Sequence, residues 1–348
     1  MTAGQPPYPA CSSVNHNGRP ENSIHTQPFH GPIPVDCTVP VSSCIMPTTF
    51  VDDKAPICVP FILEHLASHR ARHAKADGGQ HSAPPLAVGL NGIQGAGKTT
   101  LVAALTLALK DEGVHAVVCS IDDFYLNHGD QTALATQHPD NALVQHRGEP
   151  GTHDVALAIQ VFTQLMQGQP TKLPQYDKAA FQGQGDRLPE SAWLPVNQPG
   201  QPRIDVLMLE GWSVGFRPLS DGEVERRWKA SSRTLQSHKL EHLLFVNQNL
   251  RACDALTNLF DIFIQIDAED TQYVYIWRAE QEDHLRLIKG DPSAGMTKDQ
   301  VIQFVDGYYP AYELYTDGVR SGIFSGRPGC QLRMVVGRDR CVKQVVRI

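Results

Sequence analysis

The sequence lacks several features that would assign a protein to a class at once. None of its 348 residues belongs to an apolar run of about 18, the length that a membrane-spanning helix requires, so we expect no membrane partner. It has no long basic segment, and its formal net charge of −7 disfavours binding to nucleic acid. Its eight cysteines form no Cys-x-x-Cys pair and its 15 histidines form no His-Glu-x-x-His motif. We therefore expect reduced thiols and solvated histidines rather than a disulfide framework or a metal centre.

The N-terminal segment differs in composition from the rest of the chain. Residues 1–55 are rich in Pro, Ser, Asn and His, which predicts a disordered tail ahead of one folded domain at 56–348. The segment has neither the basic start and apolar core of a secretion signal nor the Arg-rich character of a mitochondrial presequence. We expect a cytoplasmic protein, with the nucleus as a second compartment.

One motif dominates the remaining sequence. A complete Gly-x-x-x-x-Gly-Lys-Thr phosphate-binding loop occupies residues 92–99, between an apolar stretch, Leu86 to Leu90, and a helical pattern that Gly113 ends. Strand, loop and helix in this order are the context that the motif needs. The glycines let backbone N–H groups converge on phosphate oxygens at the positive end of a helix. The predicted nucleotide-binding residues are Gly92, Ile93, Gln94, Gly95, Ala96, Gly97, Lys98, Thr99 and Thr100.

Two side chains of this loop and one acid beyond it suit a phosphate and a metal ion. Lys98 adds a positive charge that reaches the β- and γ-phosphates, and the Thr99 hydroxyl is a hard oxygen suited to Mg²⁺. Glu210 follows the apolar strand Ile204 to Leu209, and an acid in this position is the usual partner of a phosphate loop. The prediction is ATP bound with Mg²⁺, with Thr99 and Glu210 as metal ligands.

Two neighbouring carboxylates follow another predicted strand. Asp122 and Asp123 come directly after Val114 to Ile121. In open α/β sheets, ligands lie beyond the carboxyl ends of the strands, where both side chains are expected. One of them would accept a proton from a substrate hydroxyl or hold Mg²⁺ through water. The alternative is that both simply end the strand and start a turn.

The polar segments between these strands are less decisive. Asp154 is predicted to cap an amphipathic helix, which leaves Arg147 of the same segment free to clamp a carboxylate or a phosphate. Charges alternate in sign across residues 173–178 and 183–187. A salt-bridged surface loop and a substrate site are equal alternatives for those two segments.

The C-terminal part is predicted to be mostly helical. Arg278 lies on one helix, and an Arg from a mobile helix often covers the γ-phosphate, although an ordinary surface Arg is the commoner case. Thr297 and Gln300 form a capping box for a helix that Tyr309-Pro310 ends. The remaining predicted strands are Ile262 to Ile266, Leu332 to Val336 and Gln344 to Ile348.

Several longer motifs resemble the glycerate kinase family of plants and fungi. In the family's order and spacing they are Ser120 to Tyr125, Arg147 to Asp154, Leu173 to Lys178, Gly183 to Arg187, Leu209 to Phe216 and Tyr275 to Arg278. The match covers about residues 60–348, and the motifs are long and unusual, so the chain is identified as a member of this family. The resemblance implies a P-loop NTPase fold of the α/β class, in which helices flank a doubly wound, mostly parallel five-stranded sheet.

The resemblance also implies roles for single residues. The wider group of P-loop kinases, with uridine kinase, pantothenate kinase and phosphoribulokinase, uses as catalytic base the acid that Asp122 matches. Lys98 and Arg278 complete the expected catalytic set, and Asp123 is either a metal ligand or a turn residue. The residues expected at the acceptor substrate are Tyr125, Arg147, His153, Tyr176, Lys178 and Arg187.

The family is divided in its acceptor substrate. Plant members are D-glycerate 3-kinases, whereas the fungal members that share the Arg-Gly-x-Pro-Gly-Thr-His-Asp wording have no settled acceptor. We expect an ATP-dependent kinase that converts D-glycerate, a small hydroxy acid, to 3-phosphoglycerate. The alternatives are a kinase for a different small hydroxy compound and an acceptor-free ATPase or regulatory protein. A binding protein with a retired active site is a further interpretation, against which Lys98, Thr99, Asp122 and Glu210 are all intact.

Overall fold

The computed structural model describes residues 52–76 and 83–348. Most of the segment predicted to be a disordered tail lies outside these residues. The division into a tail and a folded domain therefore stays a prediction.

The described chain contains ten strands, six of which form a central sheet. The strands are β1 (Leu86–Gly92), β2 (Ala116–Ser120), β3 (Thr171–Leu173), β4 (Tyr176–Asp177), β5 (Asp186–Arg187), β6 (Leu194–Val196), β7 (Val206–Gly211), β8 (Ile262–Ala268), β9 (Gln331–Val336) and β10 (Val342–Arg347). The central sheet has the order β10-β9-β8-β1-β7-β2. Its neighbours pair in parallel, except β9 and β10, which are antiparallel. The predicted parallel sheet of five strands is confirmed, and β10 extends it at one edge.

Helices flank this sheet and cover its apolar strands. They are α1 (Ala55–Ala76), α2 (Lys98–Asp111), α3 (His128–Gln137), α4 (Val155–Met166), α5 (Asp221–Lys229), α6 (Leu240–Thr257), α7 (Tyr273–Lys289), α8 (Lys298–Asp306) and α9 (Tyr309–Arg320). In α2, Leu101, Leu105 and Leu109 recur every four residues and are fully buried. Burying such a side chain contributes about 1.5–3 kcal/mol. In the described parts of the chain, no helix combines the length and the apolar character that crossing a membrane would need.

The end of the predicted capping-box helix differs from expectation. Thr297 and Gln300 do form the box, and α8 ends at Asp306. Tyr309-Pro310 is not just a stop, because Pro310 stands in the first turn of α9. Proline suits that position, since its missing N–H would have no partner inside the helix. α9 was therefore missed from the sequence.

Two small hairpin-like pairings fill the region between α4 and β7. β3 pairs with β6, and β4 pairs with β5, both antiparallel. Tyr176 of β4 lies opposite Arg187 of β5. The sequence predicts either a surface loop or a substrate site for this region. The β4–β5 hairpin brings its residues toward the end of β2.

Candidate active site

The phosphate loop has the backbone conformation that its glycines permit. Gly95 and Gly97 adopt φ of 80° and 95°, in the left-handed region that side chains disfavour. A Cβ on Gly95 would lie 2.5 Å from the Cβ of Trp277, so α7 packs directly against the loop. The backbone conformation favours glycine at both positions. At Gly95 the close approach of Trp277 also leaves no room for a side chain.

Lys98 lies at the start of α2 with its ammonium turned toward the loop. Its Nζ donates to the carbonyl oxygen of Gly92 at 2.8 Å. Burial lowers the pKa of Lys98, and the carboxylates of Glu210 and Asp122 counteract this shift. One ammonium therefore interacts electrostatically with acids from the ends of both β7 and β2.

Two side chains from distant parts of the sequence support the loop. The backbone N–H of Gln94 donates to the Tyr312 hydroxyl at 3.2 Å. Arg340 Nε donates to the carbonyl oxygen of Gly95 at 2.7 Å, and its guanidinium lies 5.2 Å from the centroid of the Trp277 ring. Neither contact was predicted, because Tyr312 belongs to α9 and Arg340 belongs to the turn between β9 and β10. For the Tyr312 contact, the signal available in the sequence was Pro310, which marks the start of α9.

Asp122 follows β2 and faces a lysine of the β4–β5 hairpin. Its Oδ2 lies 2.5 Å from Lys178 Nζ. Burial alone would raise the pKa of Asp122, but the charge and the hydrogen bond of Lys178, with the charge of Lys98 adding to them, outweigh it and hold that pKa below its ordinary value. The carboxyl group is therefore ionised at neutral pH and able to accept a hydrogen bond or a proton.

Asp123 has a different environment from its neighbour. Its Oδ1 accepts from the backbone N–H of Tyr176 at 3.2 Å, which attaches the hairpin to the end of β2. Burial raises the pKa of Asp123 to about 6, and the nearby Asp122 charge adds to this effect. The contact gives Asp123 a positioning task. Its role toward a metal ion stays a prediction.

Glu210 and Thr99 present oxygen atoms near the phosphate loop. In register, Glu210 lies between Leu90 of β1 and Ser120 of β2. Among the described residues its half-buried carboxylate has no hydrogen bond or ion pair, and the Thr99 side chain is exposed in the first turn of α2. Free carboxylate and hydroxyl oxygens are the ligands that Mg²⁺ takes in proteins, so this pair fits the predicted ion.

Tyr125 and His153 stack beside Asp122. Their ring centroids are 4.4 Å apart, and their backbones form an isolated antiparallel bridge. Burial lowers the pKa of His153 to about 4, despite the attraction of the Asp122 charge. His153 is therefore neutral at physiological pH. Tyr176 packs edge-on against Tyr125, at 5.5 Å, and completes an aromatic wall.

The two arginines predicted at the acceptor contact protein groups. Arg147 donates to the carbonyl oxygens of Gly183, at 2.8 Å, and Gln184. Arg187 forms an ion pair of 3.1 Å with Asp154, which also caps α4 as predicted. Arg147 thus fixes the turn of the β4–β5 hairpin, and Arg187 joins that hairpin to α4. Their roles toward a substrate stay predictions.

Arg278 is engaged within α7. Its guanidinium pairs with Glu282 one turn later, and lies 4.8 Å from the centroid of the Phe304 ring. Glu282 is buried and also accepts from the backbone N–H of Met296 at 2.8 Å. This arrangement attaches α7 to the segment before α8. The predicted role of Arg278 toward the γ-phosphate stays a prediction.

Sequence reasoning missed three buried polar side chains near this site. Trp212, Tyr308 and Glu149 are exposed by 2%, 6% and 1%. Within residues 52–76 and 83–348, the indole N–H, the phenol hydroxyl and both carboxylate oxygens have no hydrogen-bond partner of ordinary geometry. Burial raises the pKa of Glu149 well above its ordinary value, and the backbone N–H of Ala311 opposes the shift. The sequence offered one indication of these residues, because Trp212 and Glu149 lie within two of the family motifs named above.

A cavity of about 350 Å³ lies beside Arg147. Its lining consists of Gln131, Thr132, Ala135, Thr136, Gln145, His146, Arg147 and Gln184. Neither Asp122 nor the phosphate loop contributes to it. We therefore place the chemistry at the edge of the sheet, where the acids and Lys98 meet.

Comparison with known proteins agrees with this site. The family model described as the KAP family P-loop domain matches residues 76–152 of the sequence. The chain is 36% identical over 259 residues to the uncharacterized kinase mug58 of Schizosaccharomyces pombe, covering 74% of this chain and 89% of that protein. It is 36% identical over 257 residues to the chloroplastic D-glycerate 3-kinase of Arabidopsis thaliana, covering 72% of this chain and 51% of that protein. The solved D-glycerate 3-kinase of Cryptococcus neoformans var. grubii is similar, with a TM-score of 0.76, 34% identity and coverage of 86% of this chain and 100% of that one.

The parallel sheet, the phosphate loop and the acids at its carboxyl edge define a P-loop kinase. The relatives narrow this class further. The chain belongs to the D-glycerate 3-kinase family and is an ATP-dependent phosphotransferase with an alcohol group as acceptor. The family resemblance inferred from the motifs is confirmed.

Proposed function

We propose that this chain transfers the γ-phosphoryl group of ATP to the 3-hydroxyl of D-glycerate and releases ADP and 3-phosphoglycerate. One observation carries the proposal most strongly. The ionised Asp122 carboxylate follows β2, and Lys98 follows β1 through the phosphate loop, so both side chains lie at the carboxyl edge of the same parallel sheet. A base beside a phosphate-binding cation is what phosphoryl transfer to an alcohol requires.

The proposed step balances with the groups present. Asp122 accepts the proton of the 3-hydroxyl as that oxygen bonds to the γ-phosphorus. The bond between the γ-phosphorus and the oxygen bridging to the β-phosphate breaks, and its electrons leave with ADP. Lys98 and the backbone N–H groups at the start of α2 stabilise the charge on the phosphates. Catalysis of this kind depends mainly on positioning and on charge neutralisation.

We propose Mg²⁺ as the cofactor, held by Thr99 and Glu210, with Asp123 acting through water. The support is the hard-oxygen character of these groups and the absence of a competing hydrogen bond or ion pair for Glu210 among the described residues. When bound, the ion would neutralise the negative charge of the ATP phosphates.

The proposed compartment is the cytoplasm. Because the Arabidopsis relative is chloroplastic, fractionation of cells would test this proposal.

The rate of ADP release tests this function. The purified full chain is incubated with ATP and Mg²⁺, with and without D-glycerate, next to a panel of other small hydroxy acids. We expect strong stimulation by D-glycerate. Equal ADP release without any acceptor would contradict the kinase assignment, whereas stimulation by a different hydroxy acid alone would replace the substrate and keep the class.

A further inference from the structure

Three unpaired polar groups are buried around the proposed base. Trp212 Nε1, the Tyr308 hydroxyl and His153 Nε2 have no hydrogen-bond partner of ordinary geometry among the residues that the structure describes, and all three residues are more than nine-tenths buried. An unpaired buried polar group costs about 1–3 kcal/mol. Such groups rarely persist in a folded protein without a ligand or water to satisfy them.

Trp212 is held in place through its backbone and its ring. Asn91 Nδ2 donates to the carbonyl oxygens of Trp212, at 3.0 Å, and Val214, at 2.8 Å. The Trp212 ring packs against Tyr308 and Tyr312, with centroid distances of 5.6 and 5.4 Å. Because Trp212 lies two residues after Glu210, these contacts fix the indole beside the acidic end of β7.

Tyr308 and His153 approach the same carboxylate from other elements. Burial raises the pKa of the Tyr308 hydroxyl beyond its usual range. The charge of Asp122 adds to this shift, and the side chain of Gln94 opposes it. Tyr308 therefore lies near both the phosphate loop and the base. His153 reaches the base through its stack on Tyr125, whose pKa is also raised by burial and by Asp122.

We propose that Trp212, Tyr308 and His153 form the acceptor subsite, in which they bind the oxygen atoms of the hydroxy acid that do not react. The indole N–H and the phenol are hydrogen-bond donors for a carboxylate or a hydroxyl, and neutral His153 offers one donor and one acceptor. Aromatic rings pack around these groups, with Tyr308 5.6 Å from Trp212 and Tyr125 4.4 Å from His153 between ring centroids. This assignment rests on the proposed function, because the hydroxy acid it places is D-glycerate.

A pair of matched variants tests the subsite. Tyr308→Phe removes only the hydroxyl near the base. Tyr315→Phe removes an equally buried, unpaired hydroxyl of α9 whose pKa responds to Glu149 and not to Asp122. We expect Tyr308→Phe to raise the KM for D-glycerate about tenfold, with the KM for ATP unchanged, because one hydrogen bond is lost. Tyr315→Phe is expected to leave both KM values within twofold of the unaltered protein.

Binding to Trp212 offers a second, spectroscopic readout. D-glycerate should change the intrinsic fluorescence of the unaltered protein, and Trp212→Phe should remove most of that change. If Tyr308→Phe and Tyr315→Phe gave the same KM for D-glycerate, the subsite would be wrong while the kinase function stood. If the unaltered protein did not phosphorylate D-glycerate, both proposals would fall together.

Discussion

The nucleotide side and the acceptor side of this site are built in different ways. The phosphate loop is a single run of residues between β1 and α2, and its conformation follows from its own glycines. The proposed acceptor side is assembled from the end of β2, the β4–β5 hairpin, the residue after β7 and the start of α9. A phosphate presents the same shape in every nucleotide and can be met by one local motif. A particular acceptor needs groups that only the folded chain brings together.

The sharpest way to separate the two sides is to neutralise the base. Asp122→Asn keeps the size of the side chain but removes the charge that accepts the proton. We expect turnover to fall about 10²–10⁴-fold, the contribution of a positioned acid or base, with ATP affinity unchanged. ADP-release kinetics and calorimetric titration with ATP measure the two quantities. Asp177→Asn, at an exposed position of the β4–β5 hairpin, is the control, and equal activity of both variants would remove Asp122 from its role.

The corresponding change on the nucleotide side is Lys98→Met. It removes the ammonium buried beside Glu210 and Asp122. Turnover is expected to fall about 10²–10³-fold, as for loss of one charge-stabilising donor, and here ATP affinity should fall as well. Lys110→Met, on the exposed end of the same helix, should change neither. Unchanged ATP binding together with unchanged turnover would sink the assignment of the loop.

Lys178 connects the hairpin to the base, so its removal should change a pH profile. Its charge holds the pKa of Asp122 down against the effect of burial. In Lys178→Met that pKa should rise, so the acidic limb of turnover should move to higher pH. The measurement is turnover against pH beside Lys172→Met, a lysine paired with Glu190 on the surface. Identical acidic limbs in the two variants would show that Lys178 does not tune the base.

The smallest expected effect concerns stability at Glu149. Burial raises the pKa of this carboxyl above its ordinary value of 4.5, so the folded chain binds its proton more tightly than the unfolded chain. The stabilisation is complete below pH 4.5 and is lost as the pH rises toward the folded-state pKa. Relative to Glu149→Gln, the free energy of unfolding of the unaltered protein should therefore decline above that pH, by at most about 1.4 kcal/mol per pH unit.

Urea unfolding across a range of pH measures the difference, with Glu190→Gln as the exposed control. A difference between Glu149→Gln and the unaltered protein that does not vary with pH would show that Glu149 is not held protonated by the fold.

The same contrast explains how far the sequence could predict the structure. The strands of the central sheet, the loop and the helices with clear caps follow from local patterns, and α2 and the capping box of α8 are found where the patterns place them. α9 was not predicted, because a proline such as Pro310 is found both after the end of one helix and in the first turn of the next. The supports of the loop from Tyr312 and Arg340 escaped because they join residues more than 200 positions apart in the chain.

The acceptor side shows why residue type alone does not establish a role. Arg147 and Arg187 are the residues that a sequence suggests for an anionic substrate, yet the fold places their N–H groups on backbone carbonyls and on Asp154. Trp212 and Tyr308 suggest a hydrophobic core until their unpaired polar atoms are seen. Hydrogen-bond partners depend on the whole fold, so residue type alone does not assign these roles, and the roles of Arg147 and Arg187 toward a substrate stay predictions.

The identity of the phosphorylated product is the most direct test of the central claim. ³¹P NMR of a reaction containing the full chain, ATP, Mg²⁺ and D-glycerate resolves the possible phosphate esters. We predict 3-phosphoglycerate in amounts equal to the ADP formed. Formation of 2-phosphoglycerate would contradict the placement of the acceptor, and ADP accompanied only by inorganic phosphate would contradict the transfer itself.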